Sequence, residues 1–207
     1  MESPYRKLEA LVKKDAEVRA QLIERGELFG GYHPEMEAVH TANGRILESL
    51  LKTHGWPDAV RDGEAAQTNA WLIVMHAISL PSLQRKVLAL LKEHPSGSAP
   101  SELAMLEDRT LVFSGQKQKY GTQFDWDATG KLNPFPTEEE ENVDKRRAEV
   151  GLSPLAEAIR KSRERSVAEG ETPPKDFARY SQAREAWMLR VGWIRDVSEI
   201  DPGYAQE

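Results

Sequence analysis

Two histidines stand at or beside helical stripes that should otherwise be apolar, and they open the chemical reading. In "YHPEMEAVHTANGRILESLLKTH", Met36, Val39, Ile46, Leu47 and Leu50 recur on one helical stripe, with Asn43 near its centre and His40 at its edge. A buried carboxamide costs free energy unless its donors and acceptors are paired, so Asn43 needs a designated partner inside the fold. His76 lies in "AWLIVMHAI", a run apolar around the whole helix, which predicts a central element and an imidazole at least partly buried. Imidazole changes charge near neutral pH and binds metals through either ring nitrogen, so such a pair suits general acid/base catalysis or a metal site. A single histidine of this kind is usually a satisfied core residue, and the second one on another helix is what raises the chemical reading. His33, Glu37 and His40 are also spaced for ligands on one face; the competing reading makes His33 the helix cap before Pro34 and turns Glu37 to solvent.

A second group follows in "LAMLEDRTLVFSGQKQKYGTQFDWD". Asp108 and Arg109 stand at an element end, either as a structural ion pair or as pocket residues. In the latter case Arg109 receives a carboxylate or phosphate in its planar fork and Asp108 orients a histidine or binds a metal. Read as a strand, "QKYGTQF" puts Gln118, Tyr120, Thr122 and Phe124 on one face and Lys119, Gly121 and Gln123 on the other. That face lines a site or simply meets water. Gly121 suggests a bulge or a close approach of backbone to a ligand.

The elements that must position these residues are mostly helical. Leu8, Leu11, Val12, Val18 and Leu22 mark an amphipathic helix from Tyr5 to about Glu24, and Pro34 opens a second one that "HGWP" stops. Asp62 caps a third from Ala65 to Ser79, and Pro81 opens a fourth to about Glu93. A β-hairpin is expected at about 109–125, with a third short strand near Leu132. Thr137 caps a helix ending at Gly151, Pro154 begins another to about Val167, and "FARYSQAREAWMLRVGWIRDV" forms the last. The fold class is therefore mainly α (α+β): about six to seven helices with a small antiparallel hairpin or three-stranded sheet. Residues 1–168 are expected to form one helical domain, and 169–207 a linker plus a C-terminal helical tail whose Trp187, Leu189 and Trp193 need a surface, on this chain or on a second copy.

Composition prunes the function classes. With 207 residues, 39% hydrophobic content and a net charge of -6, the chain can bury a core but offers no basic surface for a phosphate backbone, so no nucleic-acid partner is expected. The absence of cysteine removes disulfides, thiolate nucleophiles and cysteine zinc sites. No leader-like start and no apolar run of bilayer length is present, which leads to a cytoplasmic expectation without membrane association. There is no phosphate loop, dinucleotide fingerprint, HExxH or nucleophile elbow.

The ordered pieces "YHPEMEAVHTANGRIL", "HGWP", "AWLIVMHA", "LAMLEDRTLVFSGQKQKYGTQFDWD" and "VDKRRAEVGLSPLAE" resemble the DUF6624 family of uncharacterised bacterial proteins over roughly residues 5 to 160. The resemblance implicates His40, Asn43, Trp56, His76, Asp108, Arg109, Gln118 and residues 120 to 123. Many members read Gln-His where this chain has Met75 and His76, so any role of that glutamine is missing here. The family brings no settled activity with it.

Two functions follow as expectations. The first is a small-molecule enzyme, hydrolase-like, using acid/base or metal-assisted chemistry. His40, His76, Asp108 and Tyr120 are its catalytic groups; Asn43, Arg109, Gln118, Thr122 and Gln123 hold substrate; and a divalent metal, if used, takes His40, His76 and Asp108. The second is a ligand-binding or protein-interaction module in which the same residues form a structural network.

Overall fold

Leu8, Leu11, Val18 and Leu22 fall on one side of α1 (Leu8–Glu24) in the computed structural model, which describes residues 3–29 and 31–204. The chain divides into two compact units, Met1–Ala99 and Pro100–Glu207, whereas the sequence reading placed its boundary after residue 168. Among the described residues there are nine α-helices and one two-stranded antiparallel sheet, a mainly α fold with a small hairpin.

In the first unit, α1 packs with α2 (Pro34–His54) and α4 (Glu64–His76), and α2 also packs with α4, so three helices share one core. Leu8, Leu22, Leu47, Ala70, Ile73 and Val74 are buried there. The short α3 (Ala59–Asp62) is capped by Asp58, whose carboxylate accepts from the amides of Val60 and Arg61 at 3.0 and 2.8 Å. Asp62 thus ends α3 instead of capping the following helix. That helix stops at His76 rather than Ser79, and α5 (Pro81–Glu93) starts at its proline as expected. The buried Gln84 donates to the Val74 carbonyl at 2.6 Å, satisfying an orphan acceptor at the end of α4.

Gly44 decides how closely α2 meets the corner between α4 and α5. A Cβ there would lie 2.7 Å from Leu80 Cδ1 and 2.9 Å from Ala77 Cβ, so only a residue without a side chain fits. At the far end of α2, Gly55 turns the chain at φ 76° and its carbonyl accepts the buried Tyr5 hydroxyl. Trp56 then donates from Nε1 to the Gly97 carbonyl at 2.7 Å, fastening the 3₁₀ turn Pro95–Gly97.

The second unit begins with α6 (Pro100–Phe113), which runs through the stretch where the sequence suggested the first hairpin strand. Ala104, Leu106, Thr110 and Val112 are buried around this helix, and a short apolar run buried on several sides does not reveal its own period. The hairpin forms later, from β1 (Phe124–Trp126) and β2 (Leu132–Pro134), with Asp125 opposite Asn133. No third strand joins it among the described residues. Asp127 ties its turn, accepting from the Thr129 and Lys131 amides and from Asn133 Nδ2. Thr137 pairs with Gln118 in a parallel bridge rather than capping a helix. The next helical segments are a 3₁₀ turn (Glu140–Asn142), α7 (Val143–Glu149), α8 (Leu155–Glu169) and α9 (Phe177–Val191).

The C-terminal segment is part of this unit's core. Met188, Trp193 and Ile194 are buried with Phe113 packed against them, and Tyr204 is buried with Val112 and Phe135. Asp125 accepts from the Tyr180 hydroxyl and from Arg184, each at 2.7 Å, while the Arg184 guanidinium lies 5.0 Å from the Phe135 ring centre. Of the apolar side chains that called for a docking surface, Trp193 and Trp187 find one within their own unit, whereas Leu189 stays exposed.

Candidate active site

The side chains predicted to act together fall into two hydrogen-bonded groups, one in each unit. In the first unit His40 from α2 and His76 from the end of α4 meet, with ring centres 4.9 Å apart. Between them is a residue the sequence reading did not select. Asp15, on α1 and only 5% exposed, accepts from His40 Nε2 at 3.2 Å through one oxygen and from His76 Nδ1 at 2.6 Å through the other. Tyr32 completes the group, its hydroxyl 2.8 Å from His40 Nδ1.

The chemistry of Asp15 fixes the protons. Burial opposes its ionisation, but the hydrogen bonds from His40 and His76, and the nearness of both rings, outweigh that and hold the carboxyl well below the usual carboxylate range. An ionised carboxylate only accepts, so His40 Nε2 and His76 Nδ1 both carry hydrogen. With neutral rings, His40 Nδ1 accepts the Tyr32 hydroxyl and His76 Nε2 keeps a lone pair. The two histidines differ in access: the His40 side chain is 11% exposed and has both nitrogens engaged, whereas that of His76 is 35% exposed.

Asn43 is buried on the same helix, but it points to α1, where Nδ2 donates to the Leu11 carbonyl at 3.1 Å. Its role in the first unit is to bind α2 to α1. His33 caps α2, its Nδ1 accepting from the Glu35 amide, and Glu37 accepts from Ser79 at 2.7 Å rather than standing in solvent.

The second group is built around Asp108. This fully buried carboxylate accepts from the amides of Lys119, Tyr120 and Thr122 at 2.8 to 3.2 Å, and from the Thr122 hydroxyl at 2.9 Å. Burial is the dominant effect and leaves its pKa raised, although these donors pull it back down. Asp108 therefore holds a loop, whereas the carboxylate hydrogen-bonded to His40 and His76 is that of Asp15. The loop needs Gly121 in a left-handed conformation, φ 67°, where a Cβ would also lie 2.7 Å from Leu155 Cδ1.

The other expected substrate contacts are spent on the same loop. Gln118 is fully buried and spans it, donating to the Gln123 and Phe135 carbonyls at 3.0 and 2.7 Å and accepting the Gln123 amide at 2.9 Å. Arg109 donates to Gln123 Oε1 at 2.9 Å. From α7, Arg146 donates to the Lys119 carbonyl and Arg147 to the Tyr120 carbonyl. The Tyr120 phenol is partly buried, and burial together with the Glu107 carboxylate raises its pKa, away from the range of a proton acceptor near neutrality.

Asp15 had a signal in the sequence. It stands four residues after Leu11 and three before Val18, a single acid inside the apolar stripe of α1. Tyr32 had none, because nothing in its neighbourhood fixes where a residue between two helices will point.

The chain belongs to the family of unknown function DUF6624, which matches residues 5–167 and so includes both groups. No curated protein and no solved structure matches it.

Proposed function

We propose, taking membership of DUF6624 as the premise, that the chain is a small-molecule enzyme of hydrolase-like, proton-transfer chemistry with Asp15, His40 and His76 as its working centre. One observation carries the reading: His76 gives its Nδ1 hydrogen to a buried carboxylate at 2.6 Å while its ring remains about one-third exposed, leaving Nε2 as a base. Asp15 orients the imidazole and stabilises the imidazolium formed when Nε2 takes a proton from water or a substrate hydroxyl. His40, fixed by Tyr32, holds the second oxygen of Asp15 so that the carboxylate cannot swing away. The Asp108 loop is assigned a scaffold role. The reading takes the protein as cytoplasmic and its partner as a small molecule. No helix among the described residues is long and apolar enough to cross a membrane.

The test is a panel of chromogenic esters, amides and phosphoesters, with rates followed against pH. A general base contributes roughly 10²- to 10⁴-fold, so His76→Ala should lose about that factor while keeping its helical signal, and added imidazole should restore part of it. If His76→Ala retains turnover, or only melts earlier with ligand binding intact, the network is structural and the binding-module function replaces the enzyme.

A further inference from the structure

The group around Asp15 draws one donor atom from each of three helices: a carboxylate oxygen of Asp15, a ring nitrogen of His40 and a ring nitrogen of His76, all within 4.8 Å of one another. We propose that these three side chains bind one divalent transition-metal ion, with the remaining coordination positions open to water or substrate. This deepens the preceding reading and rests on it only in taking the cluster as the working centre.

The donor set argues for the class of ion. Two imidazoles and one carboxylate suit zinc, iron(II), cobalt or nickel, whereas magnesium and calcium favour oxygen ligands throughout. Three protein ligands with an open position is also the pattern of catalytic rather than structural zinc.

The protons balance as well. The ion replaces the two hydrogens that Asp15 now accepts. On His76 the hydrogen moves from Nδ1 to Nε2, at the more exposed ring. On His40 it moves from Nε2 to Nδ1, where the Tyr32 oxygen, 2.8 Å away, can accept it. Tyr32 thereby becomes the outer partner that fixes the tautomer and orientation of a metal-bound histidine.

The two contacts to Asp15, 3.2 Å from His40 and 2.6 Å from His76, use different carboxylate oxygens. One donor atom from each residue, all within 4.8 Å of one another, must close to roughly 3.3 Å around a tetrahedral ion with arms of ~2.0–2.1 Å, which takes rotation of the carboxylate and of the two rings. An ion seated there would lower the pKa of bound water, whose proton would pass to bulk solvent, because with the ion on Nδ1 the Nε2 of His76 carries hydrogen and is no longer a base.

The experiment titrates the full chain, stripped with chelator, with Zn²⁺ by calorimetry and with Co²⁺ by visible absorption. One ion per chain is expected, with the intense d–d bands of a low-coordinate cobalt site. Asp15→Asn and His40→Ala remove buried partners and should lower stability, so the decisive variants are His76→Gln, at the exposed edge, and Tyr32→Phe. His76→Gln should weaken binding by roughly 100-fold or more and Tyr32→Phe by about 10- to 100-fold, both with unchanged helical signal. No stoichiometric binding, or binding indifferent to both variants, overturns the metal site. Turnover that persists in chelator without metal binding removes this inference and leaves the preceding one standing; stoichiometric binding without turnover on any substrate does the reverse.

Discussion

Asp15 is the residue on which the first group depends, and its titration makes a directional prediction. An unfolded aspartate titrates near ~3.9 and the native one lower, so the stabilisation from its ionisation is complete above that value and lost as pH falls through the native pKa. Removing one member of a buried pair typically costs about 3–5 kcal/mol, so Asp15→Ala should show a deficit of that order at neutral pH. Urea midpoints at pH 7, 5 and 3 should show the Asp15 contribution fading only in the most acidic sample; a deficit as large at pH 3 would refute the assignment. The histidines should separate by their surroundings. His40→Gln disturbs two hydrogen bonds in an 11% exposed ring, and His76→Gln disturbs one in a ring with access to water. Since 1 kcal/mol moves the midpoint by about 2–4 °C in a chain of this size, the His40 variant should melt several degrees below the His76 variant. Equal losses would mean that the two positions are equivalent. The pairing of His40 with His76 was legible from apolar stripes, but the carboxylate between them was not, because the expected acid stood at an element end, in Asp108, rather than on the stripe of α1.

Helices and turns supply predictions of a different kind. Gly44 occupies a helix interior, where alanine would normally gain about 1 kcal/mol. Contact with Leu80 and Ala77 reverses the sign, because overpacking costs about 1–3 kcal/mol. Gly44→Ala should therefore lower the urea midpoint, and a stabilised variant would show that the corner has room. In the second unit Asp108→Asn removes an anionic acceptor from the loop of residues 119–122. The amides of Lys119, Tyr120 and Thr122 should then exchange hydrogen markedly faster than those of α8, and unchanged protection would rule out the clamp. The boundaries of α1, α2 and α5 were close to legible, since glycine, proline and apolar spacing agree there. The hairpin was not, because Thr110 and Val112 have strand propensity yet sit in a helix whose packing overrides it. The alternation in "QKYGTQF" was likewise a feature of a loop held by side chains, not of a strand.

Across the chain, the family match ends at residue 167 while the second unit continues to bury side chains up to Tyr204. Truncation after Gly170 removes Met188, Trp193, Ile194 and Tyr204 and strips Asp125 of Tyr180 and Arg184. Such a truncation should abolish cooperative unfolding of residues 100–170; a truncated chain that still melts sharply would show that the tail is dispensable. Sequence patterning revealed that this segment needed a partner surface, but patterning alone does not distinguish a surface on the same chain from one on a second copy. All three donors of the first group are in place by residue 76, and the unit that contains them is complete by residue 99. Chains leave the ribosome amino end first, at about 5–20 residues per second, and domains fold as they emerge. The centre can thus be assembled while residues 100–207 are still being translated, and an ion or small molecule that binds it would stabilise the nascent chain before the second unit exists.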